Sequence, residues 1–194
     1  ALMERIGIST DTSAEMMNVF TINMGKSQNA AIQMTKALVS MGGVLGNSQK
    51  FLQSFQESLK SLAVYGEDAV EVFSNMAAAA RAAGVEVSTL TGVAAKFDTF
   101  ESAAESAGRL NALLGTQLSS TEMVRMEEDE RIETLIQQIQ VSGESFAQMD
   151  RFKKKAIAAA AGISDMNEAQ RIFGMNMKDY KKYQKDMERQ AKIQ

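Results

Sequence analysis

No cysteine, histidine, tryptophan or proline occurs among the 194 residues, and aromatic residues make up only 6%. Without Cys there is no disulfide framework and no thiolate chemistry, so packing alone must hold the fold. Without His and Cys, the usual zinc sites and the Ser–His and Cys–His nucleophilic pairs are excluded. A carboxylate-only active site survives that filter. The absence of Pro suits uninterrupted helices, because an interior proline costs a helix about 3 kcal/mol.

Long apolar runs are missing as well. Ala156 to Ile163 is short and rich in small residues, and Met76 to Val85 is broken by Arg81. Crossing a bilayer takes roughly 20 predominantly apolar residues, so this segment by itself is not expected to insert in a membrane. The opening ALMERIGIST carries Glu4 and Arg5 where a signal peptide needs an apolar core. It also starts on Ala1 rather than Met, which leads us to expect a piece of a longer chain.

Hydrophobic residues make up 45% and charged residues 23%, the composition of a foldable chain. The net charge of −3 gives no overall electrostatic reason to expect a nucleic-acid partner. Apolar residues recur at helical spacing almost throughout. Met16, Phe20 and Met24 share a face with Val19 beside them. Ile32, Leu38, Val39 and Met41 form a second stripe, and Phe51, Phe55, Leu59 and Leu62, flanked by Leu52, a third. Ile132, Leu135, Ile136 and Ile139 give another, and Phe146, Met149, Phe152 and Ile157 another. No window alternates with a period of two.

Glycines mark the ends. Gly25, Gly46, Gly66, Gly84, Gly115, Gly143, Gly162 and Gly174 each follow a helical stretch, where a left-handed residue closes the helix. Capping side chains follow: Ser27, Asn47, Ser88, Ser119 or Ser120, and Ser164 with Asp165, while Ser9 to Thr12 precede the first long helix. The reading is all-α, a compact bundle of about nine or ten helices. Its expected parts are an N-terminal helical subdomain (1–66), a central bundle (67–175) and a polar helix (176–194). Gly7-Ile8-Ser9, Gly84-Val85 and Gly162-Ile163-Ser164 look alike, and a helix end followed by a cap explains them without internal duplication.

Several clusters invite a chemical reading. Glu127, Glu128, Asp129 and Glu130 have no calcium-loop spacing and suit the first turn of a helix. The basic run Arg151, Lys153, Lys154 and Lys155 reads as a solvated or salt-bridged face in mid-helix. Fourteen Met residues fall mostly on the apolar stripes and fill gaps between helices. Gly42-Gly43, with Ala37 a turn earlier, either lets two helices approach closely or ends a helix early. Phe97 and Phe100 are both expected in the core, between Ala-rich stretches that need large partners. In the last helix Met177, Tyr180, Tyr183 and Met187 form an apolar seam. It looks too thin for a monomer core and able to zip against copies of itself, with Lys178, Lys181, Lys182, Lys185, Arg189 and Lys192 alternating with Asp179, Asp186 and Glu188. No catalytic, cofactor-binding or metal-binding residue stands out.

The blocks AARAAGVEVSTLTGVAAKFDTFESAAESAGRLNALLG (Ala79 to Gly115) and MEEDERIETLIQQIQVSGESFAQMDRFKKKAIAAAAGISDMNEAQRIFG (Met126 to Gly174) resemble the tail tape-measure proteins of large tailed phages. FDTFESAA followed by LNALLG, then DERI and AAGISDMNEA, is the most specific part, and LGNSQKFLQSFQESLKSLAVYG is similar in style. The resemblance implies a non-enzymatic virion component inside the tail tube, made in the host cytoplasm, that sets tail length and assists tube assembly and genome ejection. It implies tail-tube and tail-tip or baseplate partners, no cofactor and no specific nucleic acid. It also implies copies arranged symmetrically about the tube axis, and the thin seam of the last helix favours a trimer over a hexamer. A simple ruler would be one continuous helix, reaching roughly 290 Å for this segment at 1.5 Å per residue. The Gly breaks contradict that and point to a compact module near the tail tip. The alternatives are a helical secretion or adaptor protein that binds partner helices, and a cell-wall hydrolase module. The latter would need two placed carboxylates, one in an apolar setting that raises its pKa, and the sequence points to none.

Overall fold

The structure, a computed structural model, describes residues 8–62, 65 and 68–192. They form an all-α fold with no strand among the described residues. The helices are α1 (Thr10–Asn18), α2 (Gln28–Val44), α3 (Ser48–Leu62), α4 (Ala69–Ala83), α5 (Val87–Ala94), α6 (Phe100–Leu114), α7 (Ser120–Arg125), α8 (Glu128–Gln140), α9 (Arg151–Ala160), α10 (Met166–Phe173) and α11 (Met177–Lys192). A π-helical turn, Val19–Asn23, continues α1, and single 3₁₀ turns cover Ala95–Phe97 and Phe146–Gln148.

Capping chemistry sets most boundaries. Ser9, Ser27, Thr99, Ser119, Asp150 and Asp165 each accept a backbone N–H of the first turn that follows, satisfying donors that a helix start would leave unpaired. Asn47 does the same for Lys50. Ser88 does not cap, because Glu86 holds the N-cap position and Ser88 lies inside α5. Gly115 closes α6 in the left-handed region at φ 66°, but Gly174 sits at φ −92° and ends α10 without it. The expected break at Gly66 lies outside the described residues, as does Gly7.

The chain divides into two compact units. One comprises Ala1–Ala79 with Lys178–Gln194, the other Ala80–Met177. This differs from the boundaries at 66 and 175 expected from composition. The division falls inside α4, which is buried from Val72 to Ser74 and from Met76 to Ala80. The polar helix is not a separate part: from Lys178 onward it belongs to the first unit.

In the first unit an aromatic chain links α1, α3 and α4. Phe20 meets Phe55 at 5.8 Å between centroids, Phe55 meets Phe73 at 5.2 Å edge-on, and Phe51 meets Phe73 at 5.1 Å. Offset and edge contacts of this kind add about 0.5–1.5 kcal/mol each beyond area burial. Of the two readings of Gly42-Gly43, close approach is the one realised. The helix α2 runs through both to Val44, and a Cβ on Gly42 would stand 2.7 Å from Ser48 Cα and 2.9 Å from Phe51 Cβ. The Ser48 hydroxyl donates to the Val39 carbonyl across the same contact.

In the second unit α6 packs on α7 and α9, α5 on α8, and α10 on α8 and α9. The stripe Ile132, Leu135, Ile136 and Ile139 is buried throughout. Phe97 is fully buried but Phe100 is 61% exposed. Phe97 ends the 3₁₀ turn and the Thr99 cap follows, so Phe100 begins a new helix instead of continuing the face of Phe97. Phe152 is 78% exposed against the expectation that it joins its stripe. The Asp150 cap starts α9 at Arg151, so the basic run opens the helix and does not lie in its middle.

Candidate functional site

The helix α11 positions the four residues of the expected seam. Tyr180 and Met187 are each only 2% exposed, while Met177 and Tyr183 are half-buried. Two large side chains one above the other suffice to anchor a helix whose remaining faces are polar. The seam is therefore mostly covered within the chain, which corrects the view that it is too thin for a monomer core. Gln184 donates to the Tyr180 hydroxyl at 2.8 Å, and the Lys181 ammonium lies 5.4 Å from the centroid of the same ring.

Beside this anchor runs a cleft of about 620 Å³ within the first unit. Met41, Ser74 and Met187 form its buried part, and Glu71, Lys181, Lys185 and Glu188 its exposed lip. The Ser74 hydroxyl donates to the Val70 carbonyl at 2.7 Å and lies 3.0 Å from Met41 Sδ. The volume is that of a small-molecule site, but the lip mixes both charges and, among the described residues, its one hydroxyl, Ser74, is committed to the helix backbone.

The densest polar cluster lies in the second unit. Arg131, 5% exposed, projects from α8 to three neighbouring segments. Its Nε donates to the Met123 carbonyl at 2.9 Å, and Nη2 to the Val124 carbonyl at 2.9 Å. Nη1 donates to the Ala94 carbonyl at 3.1 Å and to Asp98 Oδ1 at 2.6 Å. The carbonyls belong to the last turns of α5 and α7, where helices present unsatisfied acceptors and negative dipole ends. One guanidinium thus fixes two helix ends and a loop carboxylate.

Glu128 is buried one turn before Arg131. Burial, with further repulsion from Asp98 and Asp129, raises its pKa from 4.5 to about 7, and Arg131 opposes the shift. Glu127 and Glu130 form a reciprocal capping box around it. The acidic run is therefore a helix start, as its position implied, but two of its members face inward. Sequence reasoning missed Glu128 as a perturbed carboxyl, and nothing local distinguishes it from Glu130, which is exposed. Glu128 lines neither the cleft above nor the smaller one of about 340 Å³ beside Phe146, Phe173 and Gln140.

The basic run is spread over different partners. Lys153 pairs with Glu144 at 2.5 Å, Lys154 lies 5.9 Å from the Phe146 ring centroid, and Arg151 lies over Phe152. Among the described residues no group of three or more acidic side chains is arranged to hold a metal ion, and no helix is long and apolar enough to cross a membrane. Comparison with family models, with curated proteins and with solved structures finds no match to this chain.

Proposed function

We propose that this chain is a non-catalytic helical module of a tailed-phage tape-measure protein, acting in the virion within the tail tube or at its tip. The observation that carries the reading is the pair of sequence blocks, Ala79 to Gly115 and Met126 to Gly174, that resemble that family. The all-α fold is compatible with it. The longest α-helix among the described residues, α2, has 17 residues and spans about 26 Å, so the module does not act as a rod. Its partners are tail-tube and tail-tip proteins. Its copies stand about the tube axis through surfaces other than the buried Tyr180 and Met187. The test is an in-frame deletion of this segment from its parent gene, followed by electron microscopy of tails. The expected result is loss of tails, or a shortening far below the roughly 290 Å that a continuous helix would give. Normal tails with unchanged length and infectivity would overturn the proposal.

A second reading, a helical adaptor that binds partner helices, draws on Ile22, Phe100, Val141 and Phe152, apolar side chains exposed by 61–78%.

A further inference from the structure

Viewed down its axis at 100° per residue, α11 sorts its charges by side. Lys178, Lys181, Lys182, Lys185 and Arg189 fall within one arc of about 100° and follow the helix for about 16 Å at 1.5 Å per residue. All five are exposed. Asp179 and Asp186 lie on one flank of that arc and Glu188 on the other, so no acid of α11 interrupts it, while Glu71 of α4 shares the lip of the cleft with Lys181 and Lys185. Tyr180 and Met187, both buried, occupy the opposite side. Because those two anchors hold the helix by its far face, the cations are held outward instead of turning with a loose helix. The segment 177–192 carries six cations against three acids in a chain of net charge −3, which leaves −6 for the rest. The chain's average charge conceals this segregation.

We propose that the outward face of α11 docks the phosphate backbone of a nucleic acid without reading its sequence. The argument is charge complementarity over a defined length. A helix that enters a bilayer surface presents an apolar face along with its cations, and here that face is turned into the protein. Four of the five cations are lysines, point charges on flexible stems, which meet a regular row of phosphates at any register. An acidic protein partner would need carboxylates spaced to match along the same 16 Å. No aromatic or amide side chain stands within the arc to stack on bases or read their edges, so binding is set by charge alone. The inference does not rest on the tape-measure reading and stands or falls separately from it.

The experiment uses the full chain and two fluorescein-labelled 30-base-pair duplexes of unrelated sequence, titrated by anisotropy from 50 to 250 mM salt. The expected result is equal affinity for both duplexes, with a Kd on the order of 10 µM at 50 mM salt. The logarithmic salt slope should be about −3 to −4, as for about four phosphates neutralised. Lys182→Glu, Lys185→Glu and Arg189→Glu together should weaken binding at least tenfold and flatten the slope. The same three positions as Gln should give an intermediate loss, and this variant serves if the charge reversal does not fold. Lys36→Glu with Lys50→Glu, elsewhere in the first unit, should leave affinity within twofold. The proposal is overturned by absence of binding at 50 mM salt or by undiminished binding of both triple variants. Tighter binding to phosphatidylserine vesicles than to duplex would also overturn it. So would a dimer, seen by light scattering, that the triple variants abolish, because the stripe would then pair copies of this chain.

Discussion

Replacing Glu128 by Gln removes a carboxyl that the fold holds in a strongly unfavourable place while keeping its shape. Its pKa rises from 4.5 to about 7 on folding, chiefly because burial penalises the charged form, with repulsion from Asp98 and Asp129 and attraction from Arg131. The folded chain therefore binds more protons than the unfolded chain between about pH 4.5 and pH 7. Stability falls as pH rises through that window, and the full penalty is present above it. The whole shift corresponds to about 3 kcal/mol. The first turn of α8 has Glu130 exposed and Glu127 half-buried beside Glu128, so solvent screening reduces the realised figure to about 2 kcal/mol. Urea unfolding followed by circular dichroism at pH 5, 6, 7 and 8 measures it. Glu128→Gln should match the parent at pH 5 to within about 0.5 kcal/mol and exceed its stability by about 2 kcal/mol at pH 8. A difference that stays constant from pH 5 to pH 8, or a variant less stable than the parent at pH 8, would refute the reasoning. The first would mean that attraction from Arg131 cancels the cost of burial, the second that it outweighs it.

Phe97→Ala should cost about 3–5 kcal/mol and Phe100→Ala under about 1 kcal/mol in the same denaturation assay, because only the first side chain is buried. Gly42→Ala should cost about 1–3 kcal/mol despite its helical setting, since the added methyl meets Ser48 Cα at 2.7 Å and neither helix can yield without moving the other. Gly43→Ala, whose Cβ would meet only Ser48 Oγ at 3.9 Å, should instead raise stability by about 0.5–1 kcal/mol. Thermal melts of the two variants side by side separate contact from propensity.

The helices and their ends were legible because their signals are local. A left-handed glycine such as Gly115, or a cap such as Ser119, acts within one turn and leaves its mark in adjacent residues. What depends on a distant partner was not legible. Phe97 and Phe100 are spaced to share a helical face, and only the end of the 3₁₀ turn at Phe97 and the Thr99 cap put them on different elements. Arg131 lies in a run of charges that reads as solvated, and its four acceptors come from residues 7 to 37 positions away. Asn111 is a similar case. Its side chain accepts from Thr116 and from the Leu118 N–H and donates to the Leu118 carbonyl, pinning the loop after α6. An Asn in the last turn of a helix before a glycine is a faint signal for such a clamp. The division inside α4 left no mark at all, because a continuous helix has no linker composition to betray it.

The burial of the seam changes what substitutions in α11 report. If Tyr180 and Met187 lined an interface between copies, trimming them would lower the mass in solution and leave the folded monomer intact. Both are instead 2% exposed within the chain, and the rest of α11 is too polar to dock by itself. Met187→Ala should then cost about 2–4 kcal/mol of folding stability, through lost burial and the cavity left against Met41 and Ser74, which line the same cleft. Tyr180→Phe should cost about 1 kcal/mol, the value of the hydrogen bond from Gln184. Native-state hydrogen exchange distinguishes this from an interface role. In Met187→Ala, amides of α11 should exchange faster at every protein concentration, because α11 has loosened from its own unit. Exchange that slows as concentration rises, with unfolding free energy unchanged, would return Met187 to an interface between copies.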